Sequence, residues 1–311
     1  MPLLPFDLPP GLLGQATIGP AWSAWLDRLP RLLRDLLEEW QLTVDGDPLH
    51  GFASAVVPVR TADGEPAALK VTFDGDDESL HEGLALQHWH GDGAVLLLRA
   101  DPRRRALLLE RLHTRDLTGV DETEACEIVA AFYARLHVPA LPQLRTVTSY
   151  VERWLDDLAG LGRDAPIPRR YVEQAVSLGR DLVADPASTG RVVHGDLHYQ
   201  NVLAADREPW LVIDPKPMSG DPHYELAPML WNRWMDSAAR GSERDQVRRR
   251  FLTLVDAAWL DDDRARDWAI VRMVLNAGWT VHDAMAVDRP LDAEDREWIT
   301  RCITIAKAVQ D

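Results

Sequence analysis

Two cysteines are all this 311-residue chain has, Cys126 and Cys302, far apart and in no metal-ligand or redox spacing. That excludes a disulfide framework and a thiolate zinc site, and it fits a reducing cytoplasm. No apolar run approaches the length of a membrane span. The apolar start, MPLLPFDLPPGLLG, lacks a basic flank and is broken by prolines. It reads as neither an export signal nor an anchor, and a soluble, cytoplasmic protein is expected. Basic residues are also short, 34 Lys and Arg against 50 Asp and Glu, for a net charge of -16. Such a surface disfavours nucleic acid and anionic membrane as partners and favours a cationic small molecule, although surplus carboxylates also serve solubility alone. There is no internal repeat, and the 21 prolines are scattered rather than gathered into a linker.

What is present falls into two parts. Ala21 to Trp40 sets Trp22, Trp25, Leu26, Leu29, Leu32, Leu33, Leu36, Leu37 and Trp40 at roughly helical spacing, an amphipathic extension of one helix or of two divided at Pro30. Ser54–Arg60 and Ala67–Phe73 are β-type runs joined by Ala62-Asp63-Gly64-Glu65, which predicts a hairpin. Ser79–His90 reads as a helix, and the runs Ala94–Leu98 and Ala106–Leu109 as two strands turning at Asp101-Pro102. From Glu124, apolar residues recur at Ala125, Ile128, Val129, Phe132, Tyr133 and Leu136 on one helical face, and helical patterns dominate thereafter. The expected division is therefore an α+β chain with a β-rich part at 1–112 and a mainly helical part at 113–311. Within the helical part, Arg191 to Ile213 is the exception, with short strand-like runs at Val192-Val193, Val202-Leu203 and Leu211-Val212-Ile213.

The chemistry is concentrated there. In His194-Gly195-Asp196-Leu197-His198-Tyr199-Gln200-Asn201 an Asn follows an Asp by five residues, and Asp214 ends the next apolar run. This is the spacing of phosphoryl transfer: the first Asp stands beside an acceptor hydroxyl as base, and the Asn and the later Asp offer oxygens to a metal on the nucleotide phosphates. Magnesium suits that pair, because phosphate oxygens and water complete its octahedron. Taken singly, Asp196 and Asn201 are residue types that cap turns; it is the constellation that points to a kinase. His194 is assigned to orienting the loop, since the carboxylate already accepts the proton. His198 lacks the Cys or His companions a softer metal would need.

At these residues the chain resembles the aminoglycoside phosphotransferase family, in its streptomycin 6-phosphotransferase and hydroxyurea phosphotransferase group. The resemblance is carried by VVHGDLHYQNVLAADREPWLVIDPKPMSGDPHYELAPML at Val192–Leu230, AALKV at Ala67–Val71, GDGAVLLLRAD at Gly91–Asp101 and LLLERL at Leu107–Leu112. It implies a bilobal protein-kinase-like fold with ATP between a small β-rich lobe and a larger helical lobe, and magnesium-dependent transfer of the γ-phosphoryl group to a hydroxyl. By the same resemblance Lys70 is the strand lysine that meets the α and β phosphates. Glu82 is its helix partner, with Glu78 as the alternative, and Glu110 to Leu112 form the hinge that pairs with adenine. No G-x-G-x-x-G precedes Lys70, and Ile213-Asp214-Pro215 stands where Asp-Phe-Gly would in a protein kinase. Gly51-Phe52-Ala53-Ser54 is the expected phosphate-covering loop, Gly51 for close backbone approach and Ser54 for its hydroxyl.

Asp221, Glu225 and Asp236, interleaved with His223, Tyr224, Trp231 and Trp234, follow the metal Asp and are the expected acceptor-binding residues, of a type suited to guanidinium groups. Asn276, Trp279, His282 and Asp283 share one helical face and offer a second wall. The leading expectation is an antibiotic kinase acting on an aminoglycoside, streptomycin first. Hydroxyurea is the rival acceptor, a sugar or amino alcohol the third, and a kinase-like protein that only sequesters its ligand the non-enzymatic alternative.

Overall fold

The computed structural model describes residues 4–162, 164–234 and 242–310. The chain forms two compact units, one of residues 1–115 with 203–216, the other of 116–202 with 217–311.

The first unit opens with α1 (Pro10–Gly14) and α2 (Pro20–Glu39), followed by β1 (Thr43–Val44), β2 (Leu49–His50), β3 (Ser54–Arg60) and β4 (Pro66–Thr72). It continues through α3 (Glu82–Trp89), β5 (Leu97–Asp101) and β6 (Ala106–Glu110). α2 runs unbroken through Pro30, so the extension is one helix. Its buried stripe, with Trp22, Leu29, Leu33 and Leu36, shares one core with Val57, Leu69 and Val71 of the sheet. The β3–β4 hairpin forms in the register Val57↔Leu69 and closes through Gly64, whose φ of +85° meets the turn's need for a left-handed residue. Strand order is β1-β3-β4-β6-β5, with β2 paired to β3. Because Ala67, Leu69 and Val71 face α2, the two-residue period of a strand turns Lys70 to the opposite face.

The fifth strand lies later than its apolar run suggests. Ala94 and Val95 are fully buried and pair with Val212 instead, and the strand runs Leu97–Asp101.

The second unit begins with α4 (Glu122–Leu136), α5 (Val147–Gly160), α6 (Arg169–Ala184) and β7 (Arg191–Val193). Next come β8 (Val202–Ala204) and β9 (Trp210–Val212), which pair as a hairpin and carry the chain through the first unit. β10 (Met218–Gly220), α7 (Ala227–Trp231), α8 (Glu243–Ala258), α9 (Asp262–Ala286) and α10 (Ala293–Ala308) complete the second unit. Side-chain caps start its helices, Asp121 for α4, Thr146 for α5 and Asp261 for α9. α9 is the central helix, buried on nearly every side at Ile270, Val271, Met273 and Leu275. β10 pairs antiparallel with β7. Gly220 allows that close approach, since a Cβ there would lie 2.6 Å from Val147 and 2.9 Å from Val193.

Candidate active site

In the first unit, Lys70 projects from β4 and is 5% exposed. Its Nζ lies 2.6 Å from Glu82 Oε1, at the start of α3, and 2.5 Å from Asp214 Oδ1. Of the two glutamates considered, it is thus Glu82 that pairs with the lysine. Burial works to discharge the ammonium, but Asp214 and Glu82 outweigh it and hold its pKa above the ordinary lysine value. Asp214 follows β9 with a φ of +56°, unusual for a residue with a side chain. Its carboxylate is about one-third exposed, at 34%. Lys216, two residues on, lies 3.3 Å from Asp76 Oδ2, and Asp214 and Asp76 together keep its ammonium charged against the cost of burial.

The Gly51–Ser54 segment is the turn between β2 and β3, closed by Gly51 N–H donating to Ser54 O at 3.0 Å. Phe52 stands out at its tip, 72% exposed, while Ser54 is buried. At the end of β6, Glu110 accepts from the Leu96 amide at 2.7 Å and from Arg207 Nη2 at 2.7 Å, and Leu112 two residues on is half-buried.

In the second unit the loop after β7 is fixed from every side. His194 N–H donates to Glu225 Oε2 at 2.6 Å and Gly195 N–H to Glu225 Oε1 at 2.9 Å. Gly195 adopts a φ of +81°, and its carbonyl accepts from Arg272 of α9. Asp196 is held by its backbone: its N–H donates to His194 Nδ1 at 3.2 Å, and its carbonyl accepts from Asn201 Nδ2 at 2.8 Å. Its carboxylate is 33% exposed, with His198 Nε2 at 3.9 Å. Asn201 Nδ2 is engaged in the loop, so the amide's remaining donor atom toward a cation is its oxygen. His194 itself is fully buried.

Two of the carboxylates expected to meet the acceptor have internal partners instead. Glu225 is 1% exposed, grips the two loop amides and lies 3.4 Å from His137 Nε2. Burial alone would raise its pKa; His137, His194 and the loop amides outweigh that and hold it below the usual carboxylate range. Asp221, also 1% exposed, accepts from Arg264 Nε at 2.5 Å, Trp268 Nε1 at 2.8 Å and His223. Burial opposes its ionisation, but those donors, His223 foremost, bring its pKa down to about 2. Trp231 is half-buried with the Arg272 guanidinium 5.0 Å from its ring, so its cation is the protein's own. Asp236 lies outside the described residues. On the second wall, Asn276 is buried, and Trp279 and His282 pack edge-on against Trp154, beside a cavity of about 20 Å³ that is too small for a sugar ring.

Arg272 was missed in the sequence, although an arginine inside the apolar run Trp268–Ala277 is a signal: a buried cation on a helix must find acceptors, here Gly195 O and Tyr224 O.

The Asn201 amide oxygen and the Asp214 carboxylate are each oxygen ligands of the kind magnesium takes. Among the described residues no group of three or more His, Cys, Asp or Glu could hold a metal by itself.

A family model described as aminoglycoside/hydroxyurea antibiotic resistance kinase matches residues 39–284. This chain belongs to that family. A streptomycin 6-kinase of Streptomyces glaucescens is 40% identical over 277 residues, 88% of this chain and 89% of that protein. A hydroxyurea phosphotransferase of Kitasatospora aureofaciens is 39% identical over 273 residues, 85% of this chain and 77% of its own. Among solved structures, amicoumacin kinase hAmiN, in complex with AMP-PNP, Ca2+ and Ami, is 15% identical with a TM-score of 0.59 over 93% of this chain and 95% of that one. The fold of this antibiotic resistance kinase is accordingly protein-kinase-like, with a β-rich unit and a mainly helical one, and the protein is a phosphotransferase. No helix among the described residues is long and apolar enough to cross a membrane.

Proposed function

We propose that this antibiotic resistance kinase transfers the γ-phosphoryl group of ATP to one hydroxyl of streptomycin, with Asp196 as general base. The observation that carries the reading is the state of Asp196: backbone N–H and C=O both tied within the loop, carboxylate one-third exposed. Such a group can approach an acceptor hydroxyl without reorganising its support. In the reaction the acceptor oxygen attacks the γ-phosphorus as Asp196 accepts its proton. The bond from the γ-phosphorus to the β–γ bridging oxygen breaks, and its electron pair leaves with ADP. Lys70, kept charged by Glu82 and Asp214, binds the α and β phosphates. Asn201 and Asp214 would hold magnesium, which supplies charge neutralisation on the phosphates when bound. Gly51 to Ser54 cover the phosphates, and Glu110 to Leu112 offer the adenine contacts. His194 acts through the Asp196 backbone as a positioning residue. The amicoumacin kinase complex with AMP-PNP and Ca2+ supports a nucleotide with a divalent cation in this fold.

For the acceptor, the net charge of -16 and the 40% identical streptomycin 6-kinase favour a cation. Hydroxyurea is the second reading. It is favoured by the 39% identical hydroxyurea phosphotransferase and by the internal commitment of Asp221 and Glu225, which removes two carboxylates from the argument for a cation. ADP release from Mg-ATP, measured against streptomycin, other aminoglycosides, hydroxyurea, sugars and amino alcohols, decides among them. Streptomycin-dependent turnover that falls by about 10²–10⁴-fold in Asp196→Asn, with nucleotide affinity retained, is the expected result. Turnover with hydroxyurea or a metabolite alone would replace the acceptor, and full turnover in the variant would remove Asp196 from its role.

A further inference from the structure

The chain contains three lysines among its 34 Lys and Arg residues: Lys70, Lys216 and Lys307. Elsewhere several of its acidic groups are paired by arginine, as at Arg207–Glu110, Arg250–Glu122 and Arg264–Asp221. Both lysines of the first unit nonetheless belong to one acidic cluster. Lys70 lies 2.5 Å from Asp214, and Lys216 follows Asp214 by two residues and pairs with Asp76. An arginine presents a broad planar fork, whereas a lysine presents a compact charge on a flexible stem that can exchange one oxygen for another. Arginine makes those structural ion pairs, whereas both ammonium groups of the first unit stand at the Asp214 and Asp76 carboxylates.

The two lysines are held differently. Lys70 is enclosed by two carboxylates at 2.5 and 2.6 Å and its side chain is 7% exposed. Lys216 sits at 3.3 Å from its carboxylate with 19% of its side chain exposed. Asp76 has partners besides it: the same carboxylate accepts from Ser79 Oγ at 2.7 Å and from the Glu78 amide at 3.1 Å. The turn is fixed separately, since Arg105 Nη2 donates to Asp76 O at 2.5 Å and to Ser79 Oγ at 2.9 Å. Withdrawing Lys216 leaves Asp76 hydrogen-bonded and its loop anchored, so the pair can open without unmaking the turn.

We propose that Lys216 is a second phosphate-contacting lysine, which Asp76 holds in the nucleotide-free protein and releases to the triphosphate of ATP. The proposal rests on the kinase reading and adds to it a residue and an exchange. Lys216 then serves the phosphates beyond those met by Lys70, where negative charge grows as the γ-phosphoryl group departs.

The test is calorimetric titration of the full chain with Mg-ATP and, separately, with AMP. Lys216→Ala is expected to weaken Mg-ATP by about tenfold or more while leaving AMP within about twofold, and Lys216→Arg to fall between it and wild type. Asp76→Asn, which frees the ammonium, is expected to bind Mg-ATP at least as tightly as wild type. If the pair were merely structural, Lys216→Ala and Asp76→Asn would shift both nucleotides alike and in the same direction, and that result overturns the proposal. Wild-type affinity for Mg-ATP in Lys216→Ala also overturns it while leaving the kinase reading intact. A wild-type protein that binds no Mg-ATP overturns both.

Discussion

At the scale of single residues, buried charge is spent on geometry. Glu225 never meets solvent, yet it is ionised because four groups ask for a negative charge: the His194 and Gly195 amides, His137 and His194. Its two oxygens fix the direction in which the loop leaves β7, and with it the position of Asp196. In Glu225→Gln one oxygen becomes an NH2 that faces a backbone N–H, leaving donors opposed in a site that is 1% exposed. The cost of an unmet buried donor is about 1–3 kcal/mol. We expect kcat to fall by about tenfold to a hundredfold with nucleotide affinity little changed, read by steady-state kinetics and AMP titration. Equal loss in both would make Glu225 a general stabiliser of the unit.

At the scale of elements, α2 is part of the sheet's core. The Trp22 ring stacks on Phe73 at 4.1 Å and meets Phe52 edge-on at 5.9 Å, so the helix reaches the turn assigned to the phosphates. Trp22→Ala leaves a cavity under that turn and is expected to destabilise the protein by about 3–5 kcal/mol, measured by chemical denaturation. A loss below about 1 kcal/mol would show that α2 packs only loosely. The β8–β9 hairpin has a comparable role. Arg207 in its turn donates to Glu110, Gly91 O and Ala94 O, fastening the hairpin that leads to Asp214 onto the first unit.

At the scale of the molecule, Asp221 joins three stretches of the second unit that are distant in sequence. Arg264 of α9 reaches it together with Asp185 and Ser188, Trp268 donates from the next turn of α9, and His223 Nε2 accepts the Asp261 amide. A pKa brought from 3.8 down to about 2 means that folding favours the ionised form. Its contribution is complete above about pH 4 and lost as pH falls toward 2, with a total of about 2.5 kcal/mol. Asp221→Asn should therefore be less stable than wild type at pH 7 by about that amount, with the gap closing near pH 2. A gap independent of pH would place the stabilisation elsewhere.

The sequence by itself determined the family and the local elements. Asp196, Asn201 and Asp214 are spaced by the short loop and hairpin that carry them, so the set proposed to act on phosphate is legible there. The periods of strand and helix likewise marked the β3–β4 hairpin and α4. Tertiary structure alone decided which carboxylates face outward. Asp221 and Glu225 have the composition of an acceptor site, but their donors arrive from Arg264, Trp268 and His137, residues 43 to 88 positions away whose approach no local pattern encodes. The choice of Glu82 over Glu78 was likewise made by the helix start that turns Glu82 toward Lys70. Local spacing is written into covalent connectivity, whereas burial and ion-pair partners follow from packing between segments far apart in the chain.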